Sequence, residues 1–287
     1  MQETDYLNNL IEISHAIGSN NAYVQGGGGN TSVKIDERKM AIKASGVQLR
    51  DMNLDHGIAI VDFKKVNLYH QNPDSDEDKY GEAIKQFALT DSGRPSIETG
   101  FHALLGRYVI HSHSVFLNVL LCSAEGKDLI AQHFPKSLWI DYHTPGKDLT
   151  AAIKHTLKNR KNNHFQGLIF LENHGVIVTA DDHKICINLH TESNIKIKNL
   201  FELDDFDLSK EIKIDISDEY FFPDQVIYMS EDQVKQKTNS YLETISTVSY
   251  LKDSICKLGF NPKTLSESNV NVLKSMQSEK YRKKISK

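Results

Sequence analysis

The chain has 287 residues, of which 39% are hydrophobic and 25% charged, so it is long enough for one large domain or two smaller ones and ordinary for a folded globular protein. A net charge of -4 and the lack of a long internal basic run speak against nucleic acid as a partner, and the basic cluster from Lys280 to Lys287 reads as a solvated tail. Cys122, Cys186 and Cys256 are widely spaced with no Cys-x-x-Cys, and no apolar run suits a signal segment or membrane span; both point to a reduced, cytoplasmic protein with no membrane partner.

Residues 4–18 carry Leu7, Leu10, Ile11, Ile13 and Ala16 at helical spacing. Gly26-Gly27-Gly28-Gly29 follows, which neither a helix nor a strand centre tolerates. A hairpin comes next: strand 31–35, a turn at 36–39 and a return strand at 40–44. The glycine loop therefore sits on a rigid edge. Its backbone N–H groups, with Asn30, Thr31 and Ser32, suit an anion, although the Gly-Lys-Ser/Thr ending of a P-loop is missing. Ser45-Gly46 closes the return strand in a second small, polar turn. A strand at 57–63, an acidic surface loop at 71–79 and a helix at 80–89 continue the chain.

Arg94-Pro95-Ser96-Ile97-Glu98-Thr99 introduces a helix starting near Ile97, with Ser96 as its cap and Glu98 in a first turn that favours a carboxylate. Tyr108-Val109-Ile110-His111-Ser112-His113 then reads as a strand. Its alternation puts His111 and His113 on one face, where two imidazoles can take adjacent positions on a metal ion; the pair equally fits a strand end with two hydrogen-bonded rings. Helices follow at 114–123 and 124–133, with Cys122 packed rather than reactive. Then come a strand at 138–140, a turn at 142–146, a helix at 148–159, and strands at 167–171 and 176–178. His174 stands at the junction of those last strands, beside Gly175, and reads as a turn histidine or a third ligand. Beyond it the pattern gives a helix at 181–201, a short strand at 212–216, an aromatic turn at 220–225, and helices at 231–258 and 266–285. Three histidines at strand ends with one carboxylate make an open metal site of catalytic type.

Five segments together resemble the class II aldolase/adducin superfamily, which includes fuculose- and rhamnulose-phosphate aldolases and ribulose-phosphate 4-epimerases. They are Gly27-Gly28-Gly29-Asn30-Thr31-Ser32, Ser45-Gly46, Pro95-Ser96-Ile97-Glu98-Thr99 with His102, His111-Ser112-His113, and Asn173-His174-Gly175. The Arg94 to Thr99 variant and the turns at 142–146 and 222–225 look most like the aldolase domain of bifunctional rhamnulose-phosphate aldolase/alcohol dehydrogenases, without the dehydrogenase half.

The resemblance implies an α/β fold: a three-layer α/β/α sandwich around a mostly antiparallel sheet over residues 1–204, with 205–287 as a helical extension packed on it. It implies Zn²⁺, or another divalent metal, on His111, His113 and His174, with Glu98 as the acid/base. Asn30, Ser45, Gly46 and Ser96 fall where the family binds phosphate, and Gly28, Gly29 and Thr31 belong to the same loop. Many members carry a serine directly before the glutamate; Ile97 stands there instead, with Arg94 as the candidate replacement donor. The implied reaction is cleavage of a sugar phosphate beside a carbonyl, through an enediolate. A second proton donor is expected from a neighbouring subunit, with Tyr142 as the candidate and His133 and His143 as rivals. A homotetramer is the family's usual assembly. Epimerisation or keto-acid decarboxylation on the same site is the nearest alternative, and a non-catalytic adducin-like scaffold the next.

Overall fold

The structure is a computed structural model that describes residues 2–71, 77–91, 93–158, 165–208 and 219–276. Among the described residues seven strands form one sheet: β1 (Asn30–Lys34), β2 (Lys39–Lys43), β3 (Ile58–Asp62), β4 (Tyr108–Ser112), β5 (Leu138–Ile140), β6 (Gly167–Leu171) and β7 (Gly175–Ala180). Their order is β3-β2-β1-β4-β7-β6-β5. Neighbours run antiparallel except β5 and β6. β4 is the middle strand, with His111 opposite Asn30 on one side and Ile177 on the other.

Strand alternation divides the core between the two faces. Tyr108 and Ile110 of β4 pack with Leu10, Ile13 and Ile17 of α1 (Glu3–Gly18) and with Cys186 and Ile197 of α8 (His183–Leu200). Val109 and Ile177 face the other way, onto Phe101 of α4 (Thr99–Leu104) and Leu149 and Ile153 of α7 (Lys147–Lys158). Met40, Ile42 and Val61 meet Val66 of α2 (Phe63–Tyr69) and Ile84 of α3 (Glu77–Gln86). Each such buried aliphatic side chain contributes about 1.5–3 kcal/mol. The layers are helix, sheet, helix, as the resemblance implied. The face carrying Val109 also carries His111, two residues on.

Several elements depart from their sequence expectation. The helix placed from Ile97 begins at Thr99, because Ser96 accepts from the Glu98 N–H (3.2 Å) and its carbonyl accepts from the Thr99 hydroxyl, which makes a turn before the helix. Glu98 thus stands at the N-cap position rather than in the first turn. The helix placed over 231–258 is two: α10 (Glu231–Gln236) and α11 (Asn239–Lys257). Lys237 is left-handed (φ 47°), which stops α10, and the Thr238 hydroxyl caps Tyr241 N–H at 3.2 Å to start α11. The turn at 222–225 opens α9 (Pro223–Tyr228), with proline in its first turn. Between the layers' helices run α5 (Val115–Leu121) and α6 (Gly126–His133), and the chain ends its described part with α12 (Glu267–Ser275). The expected strand at 212–216, the tip of the acidic loop and the last residues of the final helix lie outside the described residues.

Phe221, Phe222, Ile245, Val248 and Leu251 share the large core cluster with α1 and α5. Within the described residues no helix is long and apolar enough to cross a membrane.

Candidate metal centre

β4 runs into His111-Ser112-His113, and alternation does the rest. Ser112 turns to the α8 face, where its hydroxyl meets His190 Nε2 at 2.7 Å. His111 and His113 turn to the opposite face, both buried, with Nε2 atoms 3.1 Å apart. The β6–β7 link delivers the third ring. Asn173 takes a left-handed backbone (φ 51°), and Gly175 lets β7 press against β4; a Cβ there would lie 2.2 Å from the Ser112 carbonyl. His174 is thereby brought to 4.9 Å from the His111 ring and 5.0 Å from the His113 ring, centroid to centroid. One nitrogen from each of the three rings lies within 4.8 Å of the others.

Hydrogen bonds set the direction of these rings. His111 Nδ1 lies 3.1 Å from the Val176 carbonyl, and His113 Nδ1 lies 2.8 Å from Asp224 Oδ2. Both partners only accept, so each Nδ1 carries the proton and each Nε2 offers a lone pair. Burial pushes the His111 pKa down to about 4, partly countered by Glu98, so its ring is neutral at neutral pH. Two lone pairs facing each other at this distance repel unless a cation lies between them. Glu98 adds to the pattern: its Oε1 is buried without a hydrogen-bond partner, 3.6 Å from His174 Nε2, and its Oε2 is 3.6 Å from His111 Nε2. Three imidazole nitrogens and one carboxylate with an orphaned oxygen fit a divalent ion.

Glu98 is itself held. Asn30 Nδ2 donates to its Oε2 at 2.7 Å, His102 Nε2 donates to Asn30 Oδ1, and the Ser32 hydroxyl reaches His102 Nδ1 at 2.7 Å. His102 is fully buried, and burial, with His111 and Lys34 nearby, holds its pKa well below the usual histidine range. The neutral ring can therefore donate at one nitrogen and accept at the other, which fixes the asparagine and through it the carboxylate.

A narrow cleft borders this centre. Glu98 and His174 line it, as do Gly29, Asn30, Ser45, Gly46, Arg94 and Ser96. Lys43, which the sequence reading passed over as a strand residue, lines it too. Lys43 is buried, its ammonium donating to Val47 O at 2.8 Å and Gly27 O at 3.3 Å, so it puts a cation under both small polar turns. Arg94 is half-tied to Glu82 at 3.5 Å.

Three expected residues stand elsewhere. Thr31 alternates to the other face of β1, where its hydroxyl pairs with Ser14 of α1 at 2.7 Å; its side chain takes no part in the cleft. Gly28 lies over the His113–Asp224 pair, and a Cβ there would be 2.6 Å from Asp224 Oδ2. Tyr142 packs beside Val226, Leu265 and Leu273, and neither it nor His133 nor His143 is among the cleft-lining residues of this chain. Asp224 stands in the turn at 222–225, and an acidic residue following Phe222-Pro223 carries no sequence signal for a histidine so distant in the chain.

Three histidines converge at the strand ends of an α/β/α sandwich, beside a tethered carboxylate and a polar cleft, in an arrangement that could hold a metal ion. The chain belongs to the family described as the class II aldolase and adducin N-terminal domain, whose model matches residues 8–193. It is similar to the uncharacterized oxidoreductase YuxG of Bacillus subtilis (strain 168), at 29% identity over 191 residues; the match takes in 62% of this chain and 27% of that protein, so the chain spans about a quarter of that relative's length. Among solved structures it shares the fold of the N-terminal class II aldolase domain of a protein from Thermoplasma acidophilum (TM-score 0.61, 24% identity, 68% of this chain and 92% of that one). It also shares the fold of YgbL from Klebsiella pneumoniae (TM-score 0.52, 19% identity, 82% and 99%).

Proposed function

We propose that this protein is a divalent-metal-dependent aldolase that cleaves a sugar phosphate at the carbon–carbon bond beta to its carbonyl. The observation that carries the proposal is the convergence of His111, His113 and His174 on one point with Glu98 3.6 Å from two of them, beside a cleft with a buried lysine. A divalent ion on the three imidazoles, zinc in the first instance, supplies Lewis acidity that favours negative charge on a substrate carbonyl oxygen.

The chain's own residues do the rest. Lys43, Arg94, Ser45, Gly46 and Ser96 receive the phosphate, and the two cations make up for the hydroxyl that Ile97 lacks. Anchoring that end fixes the distance from phosphate to reacting carbon. Glu98, fixed by the Asn30–His102–Ser32 chain, holds or delivers the proton at the carbon that gains the electron pair when the bond breaks. As the bond breaks, the hydroxyl that becomes the aldehyde oxygen gives its proton to a second acid/base group, which returns it in the reverse, bond-forming direction; Tyr142, supplied by a neighbouring subunit of a homotetramer, is the candidate. The catalytic unit is residues 1–204, with the described part of the C-terminal extension packed on it, and the protein works in the cytoplasm.

The test is incubation of the zinc-loaded protein with a panel of ketose and keto-acid phosphates. Release of dihydroxyacetone phosphate with an aldehyde is the expected result. An epimer or CO₂ in its place would overturn the aldolase assignment while keeping the metal site, and a protein with no affinity for divalent metal would overturn the enzyme reading altogether.

A further inference from the structure

The family match ends at residue 193, yet the shortest polar contact to a metal-site ring comes from beyond it. Asp224 Oδ2 sits 2.8 Å from His113 Nδ1, with both side chains no more than 5% exposed. The segment bearing Asp224 is fastened from several sides. Gln225 accepts from the Phe221 N–H and donates to the Glu219 carbonyl, each at 2.8 Å. Phe221 and Phe222 are sunk in the main core. Asn173, the neighbour of His174, donates to the Phe221 carbonyl at 2.9 Å and to the Lys263 carbonyl at 2.7 Å. From the other side the backbone of Gly28 closes over the pair, where any Cβ would sit 2.6 Å from Asp224 Oδ2 and 2.8 Å from His113 Nδ1.

We propose that Asp224 is a positioning residue of the metal centre: it fixes His113 with Nδ1 protonated and Nε2 aimed inward, so that the C-terminal segment sets how tightly the ion is held. The inference rests on the metal-site reading above. An imidazole that ligates a metal brings no charge, so Asp224 and Glu98 are the carboxylates placed to balance a divalent cation there. A carboxylate on the outer nitrogen also holds the ring at one angle, which three-point binding requires. Asn173 ties the loop of His174 to the same segment, so two of the three ligands depend on it.

The experiment compares the full chain with Asp224→Asn and Asp224→Ala. Zn²⁺ affinity is measured by competition with a chromophoric chelator, the visible absorption of the Co²⁺-loaded protein at saturation reports ligand geometry, and far-UV circular dichroism reports the fold. We expect both variants to bind Zn²⁺ about 10–100-fold more weakly. We also expect the Co²⁺ bands of Asp224→Asn to shift at saturation, with the metal-free dichroism unchanged. Zn²⁺ affinity within about twofold of the parent, or an unshifted Co²⁺ spectrum, overturns the proposal, as does loss of the fold in the isosteric Asn variant, which would make Asp224 a folding residue instead. A parent chain that binds no Zn²⁺ overturns the metal-site reading itself, which separates the two failures.

Discussion

Glu98 is a single carboxylate with two demands on it: proximity to the histidine nitrogens and a fixed direction. The structure meets the second through three side chains in series, Ser32, His102 and Asn30. Replacing Glu98 by Gln keeps the size and the hydrogen bond from Asn30 available but removes proton transfer. We expect turnover of whichever sugar phosphate the parent cleaves to fall by about 10²–10⁴-fold. Metal content under saturating Zn²⁺, measured by mass spectrometry, should match the parent even if affinity falls, so that the loss of turnover reports proton transfer; turnover within a few-fold of the parent would show that Glu98 is not the proton-transfer group. Lys43→Ala should act on the other end of the substrate, raising KM for a phosphorylated substrate by more than it lowers kcat, because the cation meets the phosphate and not the reacting carbon. An unchanged KM would remove Lys43 from the anion contact. At this scale the histidine pair, Glu98 and the small polar turns were legible because strand alternation and local motifs are short-range. Lys43 was not, since nothing in an alternating strand marks its lysine as buried beneath two turns, and Asp224 was not, since its histidine partner lies far away in the chain.

The elements of the site are a strand end, a tight hairpin and a glycine loop, and each works through close backbone approach. Gly28 shows the constraint most sharply, with room for a hydrogen and none for a methyl group between Asp224 and His113. Gly28→Ala must push that pair apart, so we expect a loss of about 1–3 kcal/mol in chemical denaturation together with weakened metal binding. Parent-like stability and metal affinity would mean that the loop moves freely away from the pair. The sequence reading took the glycines as an anion cradle; Gly28's nearer task is to cover a histidine–carboxylate contact, which glycine composition alone does not distinguish. Helix existence was legible from apolar periodicity, as in α1 and α8. Helix ends were less so: nothing apolar marks Lys237, whose left-handed backbone divides the long C-terminal pattern into α10 and α11.

On the scale of the whole molecule, the chain buries neutral histidines on both faces of its sheet. Burial holds His70 at about 4 and His190 at about 3, against an ordinary value near 6.5. Between those values the unfolded chain binds protons that the folded chain refuses, so folding is fully supported above about pH 6.5 and loses support as pH falls toward the folded values. The slope is about 1.4 kcal/mol per pH unit for each histidine once the unfolded form is protonated. Unfolding free energies of the metal-free protein at about pH 7.5 and 5, above the ordinary carboxylate range, should show this fall; equal values would mean that these rings titrate normally in the fold. The layered architecture was legible through the resemblance that the five motif segments carry, whereas apolar periodicity gave only the separate elements in order. The central place of β4, between β1 and β7, was not, because sheet order depends on pairings that sequence periodicity does not encode.

All three scales meet at the point where three imidazole nitrogens converge. The most direct test is metal stoichiometry of the full chain after equilibration with Zn²⁺ and removal of excess, measured alongside His111→Ala and His174→Ala. A three-histidine centre predicts about one ion per chain in the parent and less than a tenth of that in either variant, with the fold retained. A parent chain that comes through free of zinc, or variants that keep it in full, would contradict it.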